Sequence, residues 1–295
     1  MQRDRWPCGR GYNGHEMRIG FTRAAWITAG LIALAAAAFS QRFGGRGGGF
    51  GGFGGRSDAP DSVFPANAEF HFLRVEYSDY RSGGFRSVSR RGRASGWWAQ
   101  DWPDAEEHFT TGVDRLTRVN VGDPQHVALT DEKLFDYPWV YATQTGYWDL
   151  SDAETAKLGE FLQRGGFIMT DDFWEQQEYL VFQETMNRVL PGQPITDIGM
   201  TDSVMHVLYD IQQKDLTFIP GSRHLGRDGS IYQPAGTKPA WQALYDHKNR
   251  MVVAVNFNTD IGDAWEFADV PYYPEAMTTL AYHYGINYLI YSMTH

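Results

Sequence analysis

Cysteine is almost absent from this sequence, and so is any excess of positive charge. The single cysteine, Cys8, lies ahead of every element predicted below. A domain without cysteine has neither a disulfide nor a thiolate nucleophile. The formal net charge is −10. This charge argues against a nucleic-acid backbone as the main partner, because binding phosphates requires a dominant basic surface.

The sequence also lacks a hydrophobic run of full bilayer length. Its most apolar stretch, residues 24–39, would form a helix of about 24 Å, against a hydrocarbon core of roughly 30 Å. Arg18 and Arg23 precede it and small residues follow it, a pattern typical of a secretory signal. We predict that residues 1–40 contain an upstream leader and a signal peptide or retained anchor, with Met17 as the true start. The protein is then exported, periplasmic or extracellular, and contacts a membrane only through an uncleaved segment.

The rest of the chain divides into a tether and a domain. Residues 41–63 are rich in glycine and cannot bury a core, so they are predicted to form a flexible tether. Residues 64–295 are predicted to form a single α/β domain. Within it, the loop 78–100 carries five arginines, a composition that suits either a solvated surface or an anion-binding loop.

Alternating strand and helix patterns indicate the fold class. Residues 139–143 and 167–170 are continuous apolar runs, as in strands covered on both faces. Between them, Ser151 and Glu154 form a capping-box pattern, and a glycine pair ends the helix. The pattern predicts an open, doubly wound, mostly parallel α/β sheet with an insertion at 192–250. We also expect helices over 175–190 and 275–293, a helix capped by Asp101 and ending near Leu116, a strand beginning near Phe70, and short strands near 117–121 and 126–130.

Polar and aromatic side chains follow the two buried strands. Sites in open parallel sheets form outside the carboxyl ends of the strands. We therefore predict a ligand-binding neighbourhood there, made of Thr143, Gln144, Tyr147, Trp148, Asp171, Asp172 and Trp174.

The adjacent acids Asp171 and Asp172 admit three roles. They can act in general acid–base catalysis with His206 or Glu266 as partners. They can ligate a divalent cation, with Asp263 or Glu266 supplying further oxygen atoms. They can also be structural, with Asp172 capping the next helix and Asp171 holding a neighbouring loop. The sequence leaves these three roles open.

Three stretches resemble a known family as an ordered set of motifs. They are "LFDYPWVYATQTGYWDLSDAETAKLGEFLQRGGFIMTDDFW", "GDAWEFADV" and "GINYLIYSMTH". Over residues 69–295 the chain resembles the bacterial domain-of-unknown-function family 4159. The resemblance implies a flavodoxin-like fold similar to that of class I glutamine amidotransferases. Those enzymes carry a nucleophilic cysteine after the matching strand, where this sequence has Thr170-Asp171-Asp172, so glutaminase chemistry is not expected.

These observations favour an exported, non-catalytic binding or assembly module. Its expected partner is an envelope protein or a small ligand, with no organic cofactor and a divalent cation as an option. The alternative is a carboxylate-dependent hydrolase, metal-assisted or not, that acts on a glycan or peptide. Aromatic faces beside carboxylates suit sugars, although the tryptophans are more simply explained by packing.

Overall fold

The computed structural model describes residues 67–80, 86–89 and 92–295. The predicted leader and signal (1–40), the tether (41–63) and part of the arginine-rich loop lie outside these residues. Within the described part of the chain, none of the helices combines the length and the apolar character needed to cross a bilayer.

A seven-stranded sheet forms the centre of the domain. Its strands are β1 (Leu73–Glu76), β4 (Gln125–Ala128), β5 (Trp139–Thr143), β6 (Phe167–Asp171), β7 (Thr196–Asp197), β8 (Ala240–Tyr245) and β9 (Met251–Phe257). Their spatial order is β4-β1-β5-β6-β9-β8-β7. The first five strands in this order are parallel, and β8 joins β9 in antiparallel orientation. A separate antiparallel pair consists of β2 (Arg86–Ser89) and β3 (Gly92–Ser95).

Helices cover both faces of the sheet. They are α1 (Asp104–Leu116), α2 (Asp152–Gln163), α3 (Glu175–Val189), α4 (Ile261–Glu266) and α5 (Glu275–Thr294). Alternate residues of each strand enter opposite cores, because side chains of a strand alternate in direction. Trp139 and Tyr141 pack with residues of α1, α4 and α5, whereas Val140 and Ala142 pack with residues of α2 and α3. The predicted doubly wound, mostly parallel sheet is confirmed.

The local predictions succeed where short-range signals are strong. The capping box of Ser151 and Glu154 is present at the start of α2, and both long helices lie where they were expected. The predicted strand near 117–121 is wrong, because this segment contributes only an isolated bridge between Val121 and Phe70. The first strand begins at Leu73 rather than near Phe70.

The segment 192–250 extends the sheet and continues into the site. Its strands β7 and β8 form the antiparallel edge next to β9. Between these strands, the loop 219–224 returns to the carboxyl end of the parallel strands, where the backbone N–H of Asp260 donates to the carbonyl of Ile219 at 3.0 Å. The insertion therefore supplies one wall of the site.

Candidate functional site

The polar centre of the domain lies at the carboxyl edge of the parallel strands. The five parallel strands follow the flavodoxin-like order, in which the connections after β1 and β5 run to opposite faces. Ligands bind at such a switch point in open α/β sheets. Thr143 and Asp171 are register partners at the ends of β5 and β6, so these two residues of the predicted neighbourhood lie side by side next to the switch point.

Asp171 is a buried anchor. Its carboxylate accepts hydrogen bonds from the backbone N–H groups of Ile261 (2.6 Å) and Gly262 (2.9 Å). The hydroxyls of Tyr141 (3.2 Å) and Thr259 (3.3 Å) also donate to it. Burial raises the pKa of Asp171 to about 8, and the backbone donors oppose this rise. Asp171 thus holds the start of α4 against β6, which agrees with the structural role considered for it.

Asp172 has a different environment from its neighbour. Its backbone is left-handed, with φ at 48°, so its side chain leaves the strand direction. Gln144 Nε2 and Trp174 Nε1 donate to its two oxygen atoms, and Arg223 lies 3.9 Å away. The capping role considered among the three for Asp172 is not found, because α3 is preceded by Trp174 and has no side-chain capping bond.

Asp172 belongs to a cluster of five carboxylates, which we call the acid cluster: Asp101, Asp172, Asp260, Asp263 and Glu266. Oxygen atoms of Asp101, Asp172 and Asp260 all lie within 4.8 Å of one another, and so do those of Asp101, Asp263 and Glu266. Four of the five residues are buried, and Glu266 is partly buried. Among the described residues, the ion pair of this cluster is that of Asp172 with Arg223.

Asp101 is the member that sequence reasoning misread. The helix it was expected to cap begins at Asp104, with Pro103 at the cap position. Asp101 instead has a left-handed φ of 64°, and its backbone carbonyl accepts from Ala105 N–H. The residue is 5% exposed. Gln100 Nε2 donates to Oδ1 at 2.6 Å, whereas Oδ2 has no hydrogen-bond partner in the described part of the chain.

Four carboxyl groups of the cluster, those of Asp101, Asp172, Asp260 and Glu266, resist ionisation. Burial raises the pKa of Asp172 to about 6, with Asp263 adding to the rise and Arg223 lowering it. Burial, followed by Asp263, raises the pKa of Glu266 to about 8. Burial also holds the pKa values of Asp101 and Asp260 well above their ordinary range. The site must therefore be neutralised by protons or by a cation.

This imbalance predicts a pH dependence of stability. Asp171 and Glu266 have folded pKa values of about 8, above those of the unfolded chain, so their contribution to stability is lost as pH rises to 8. In the presence of a chelator, we expect the melting temperature to fall by at least about 3 °C between pH 6.5 and pH 8. Differential scanning calorimetry measures this fall. Glu266→Gln should reduce it, and Glu184→Gln, which changes an exposed acid of α3, should not. A melting temperature that rises between pH 6.5 and pH 8 would contradict the raised pKa values of Asp171 and Glu266.

The loop from Gly221 to His224 covers the acid cluster. Ser222 N–H donates to Asp263 Oδ2 at 2.5 Å, and Asp263 N–H donates to Asp260 Oδ1 at 2.8 Å. A Cβ atom on Gly221 would lie 2.4 Å from Asp260 Oδ2. A glycine is thus required here for the loop to approach the carboxylates. Burial, followed by Arg223, lowers the pKa of His224 to about 4.

The other predicted residues have simpler environments. Thr143, Tyr147 and Trp148 are buried; the carbonyl of Thr143 accepts from Tyr77, and Trp148 packs on Phe182. The structure does not bring His206 to the acid cluster. Its ring instead contacts Asp210 and the carbonyl of Met200.

One known protein family matches the part of the chain that contains both the main sheet and the acid cluster. The family model described as "Domain of unknown function (DUF4159)" matches residues 72–293. No curated protein matches the chain. The matched range includes every strand of the main sheet and all five carboxylates of the acid cluster. Because the match spans well over half of the sequence, the chain belongs to the DUF4159 family.

Proposed function

We propose that this protein is an exported, non-catalytic binding module whose site contains a divalent cation held by the acid cluster. Export is inferred from the signal pattern of residues 24–39. The proposal of a bound cation rests on the environment of the Asp101 carboxylate. Within the described residues its buried Oδ2 atom has no hydrogen-bond donor, and its carboxylate lies within 4.8 Å of oxygen atoms of Asp172, Asp260, Asp263 and Glu266. A buried charge without a partner is costly, whereas a hard cation prefers such oxygen ligands.

The spacing of the carboxylates suits a cation. Two oxygen ligands on opposite sides of a Ca²⁺ ion are separated by about 4.8 Å, because each bond is about 2.4 Å long. The oxygen atoms of Asp101, Asp172 and Asp260 lie within this limit. For Mg²⁺, whose bonds are about 2.0–2.1 Å long, the corresponding separation is about 4.2 Å.

Hydrogen bonds to the carboxylates orient them for this role. Gln144 and Trp174 donate to Asp172, and Gln100 donates to Asp101. Outer donors of this kind fix the direction of metal ligands in proteins. Gly262 leaves space beside the cluster, since a Cβ there would lie 3.3 Å from Asp101 Oδ2 and 2.8 Å from the Tyr141 hydroxyl.

The rim of the site offers contacts for a small ligand or a segment of an envelope protein. The Arg223 side chain is 54% exposed, and its guanidinium lies 4.8 Å from the centre of the Trp174 ring. An exposed arginine on an aromatic face suits a carboxylate or another planar anion.

The proposal includes a structural relation to class I glutamine amidotransferases. The strand order of the sheet and the sharp turn at Asp172 after β6 support this relation.

A thermal-shift experiment tests the cation. Saturating Ca²⁺ or Mn²⁺ should raise the melting temperature over that in chelator by roughly 5–10 °C, because binding at a hundredfold excess over Kd contributes about 2.7 kcal/mol. Asp172→Asn should lose most of this rise, since it removes one ligand charge. Asp210→Asn, an exposed acid that contacts His206, is the matched control and should keep it. Equal melting temperatures with and without Ca²⁺, Mg²⁺ and Mn²⁺ would refute the proposal.

A carboxylate-dependent hydrolase is the second candidate. The observation in its favour is the left-handed Asp172 between β6 and α3, because strained strand-to-helix turns present nucleophiles in other α/β enzymes. Asp172 is, however, 2% exposed, and Gln144 and Trp174 donate to both of its oxygen atoms. A carboxylate so engaged is better placed to hold a cation than to attack a substrate, so we rank binding first.

A further inference from the structure

We infer that the acid cluster binds two divalent cations, with Asp101 as a ligand to both. This inference rests on the proposed function and extends it to a binuclear site. The first position lies among Asp101, Asp172 and Asp260, and the second among Asp101, Asp263 and Glu266. Asp101 is the residue common to the two groups.

The Asp101 carboxylate has the geometry of a shared ligand. Its backbone is fixed at the start of α1, and Gln100 donates to Oδ1. Oδ2 is buried without a donor in the described residues, and it points toward Gly262 in the first turn of α4. Asp260 immediately precedes this turn, Asp263 lies in it and Glu266 ends the helix. An oxygen atom at this place can reach both positions.

With all five carboxylates ionised, the charge of the cluster also accommodates a second cation. In the described structure, the positive side chain that forms an ion pair with the cluster is Arg223. Arg74 also attracts Asp101 electrostatically, but its charge is balanced by its own ion pair with Glu106. One divalent cation together with Arg223 offsets three of the five negative charges. A second divalent cation offsets the remaining two and leaves the site neutral.

Asp171 is not part of this balance. Backbone N–H groups of Ile261 and Gly262 already donate to Oδ2, and Thr259 donates to Oδ1. Its carboxylate therefore has donors of its own and does not belong to either group of ligands. A carboxylate that bridges two cations holds them about 3.5–4 Å apart in two-metal sites.

Metal counting and paramagnetic resonance test the inference on the purified full chain. Titration with Mn²⁺ should reach two ions per chain, and the spectrum should show spin coupling between neighbouring Mn²⁺ ions. Glu266→Gln should reduce the count to one and abolish the coupling. Asp263→Asn should do the same and serves as a second variant if the first does not fold. Glu275→Gln, an exposed acid at the start of α5, is the control and should still bind two ions.

The outcomes separate this inference from the proposed function. Two coupled ions in the wild type and one in Glu266→Gln support the binuclear site. One ion in the wild type, unchanged in Glu266→Gln, overturns the binuclear site and leaves the cation proposal intact. Two ions without spin coupling place them apart and also overturn the shared ligand. No bound ion overturns both proposals.

Discussion

Arg74→Met is expected to lower the free energy of unfolding by about 3–5 kcal/mol, because it leaves the carboxylate of Glu106 buried without its counter-charge. Arg74 and Glu106 are both fully buried and form an ion pair between β1 and α1. The guanidinium also donates to the backbone carbonyls of Trp98 (2.9 Å) and Gln100 (2.6 Å). It thereby holds the segment that precedes Asp101, so the variant should also weaken cation binding.

Urea unfolding measures this loss of free energy. Two further variants show whether the loss comes from the unpaired carboxylate of Glu106. The double variant Arg74→Met with Glu106→Leu should recover most of the stability, since replacing both members of a buried pair by apolar groups is often neutral. Arg164→Met is the control, because Arg164 and Glu160 form an exposed pair one helical turn apart and such pairs contribute about 0.5 kcal/mol or less. A loss below about 1 kcal/mol for Arg74→Met would show that the pair is not structurally important.

Asp101→Asn is expected to weaken cation binding more than about 100-fold, beyond the effect usual for an outer-shell residue. Asp101 belongs to both ligand groups, so its charge is lost from each. Asparagine tolerates a left-handed backbone as aspartate does, and the change therefore preserves the turn. It also removes repulsion, so the cation-free variant should melt at a higher temperature than the cation-free wild type.

Isothermal titration with Mn²⁺, together with melting curves in chelator, measures both effects. Asp114→Asn is the matched control, because Asp114 is an exposed aspartate near the end of α1, and it should bind as the wild type does. The opposite result is also informative. If Asp101→Asn lowers the stability of the cation-free protein and leaves Mn²⁺ binding unchanged, Asp101 is a structural acid and the site is wrongly assigned.

The sequence predicts the scaffold well because its signals are local. The capping box at Ser151 and the apolar runs of β5 and β6 depend on residues close together in the chain, and each was found as expected. The proximity of the β5 and β6 ends follows from the parallel pairing. The family resemblance adds the strand order, which no local pattern contains.

The site is predicted only in part because it depends on long-range contacts. The sequence predicted that Asp101 caps a helix, because it is followed by a proline and by several acidic residues. This pattern is typical of the start of a helix. Nothing in the neighbouring sequence shows that the helix begins later and that the carboxylate turns inward. No sequence pattern pointed to Asp260, because the helix that it caps has only six residues. Conversely, His206 attracted attention by residue type alone, and its partner is the nearby Asp210.

The scatter of the acid cluster along the chain has a consequence for the order of folding. Its members precede α1, follow β6, and cap or lie within α4, so strands that are distant along the chain bring them together in the folded sheet. Contacts between such distant residues form late, because the chain must first close long loops. The unfolded chain therefore contains no preformed group of carboxylates. Cations that bind this cluster act on the native state, and they slow unfolding far more than they speed folding.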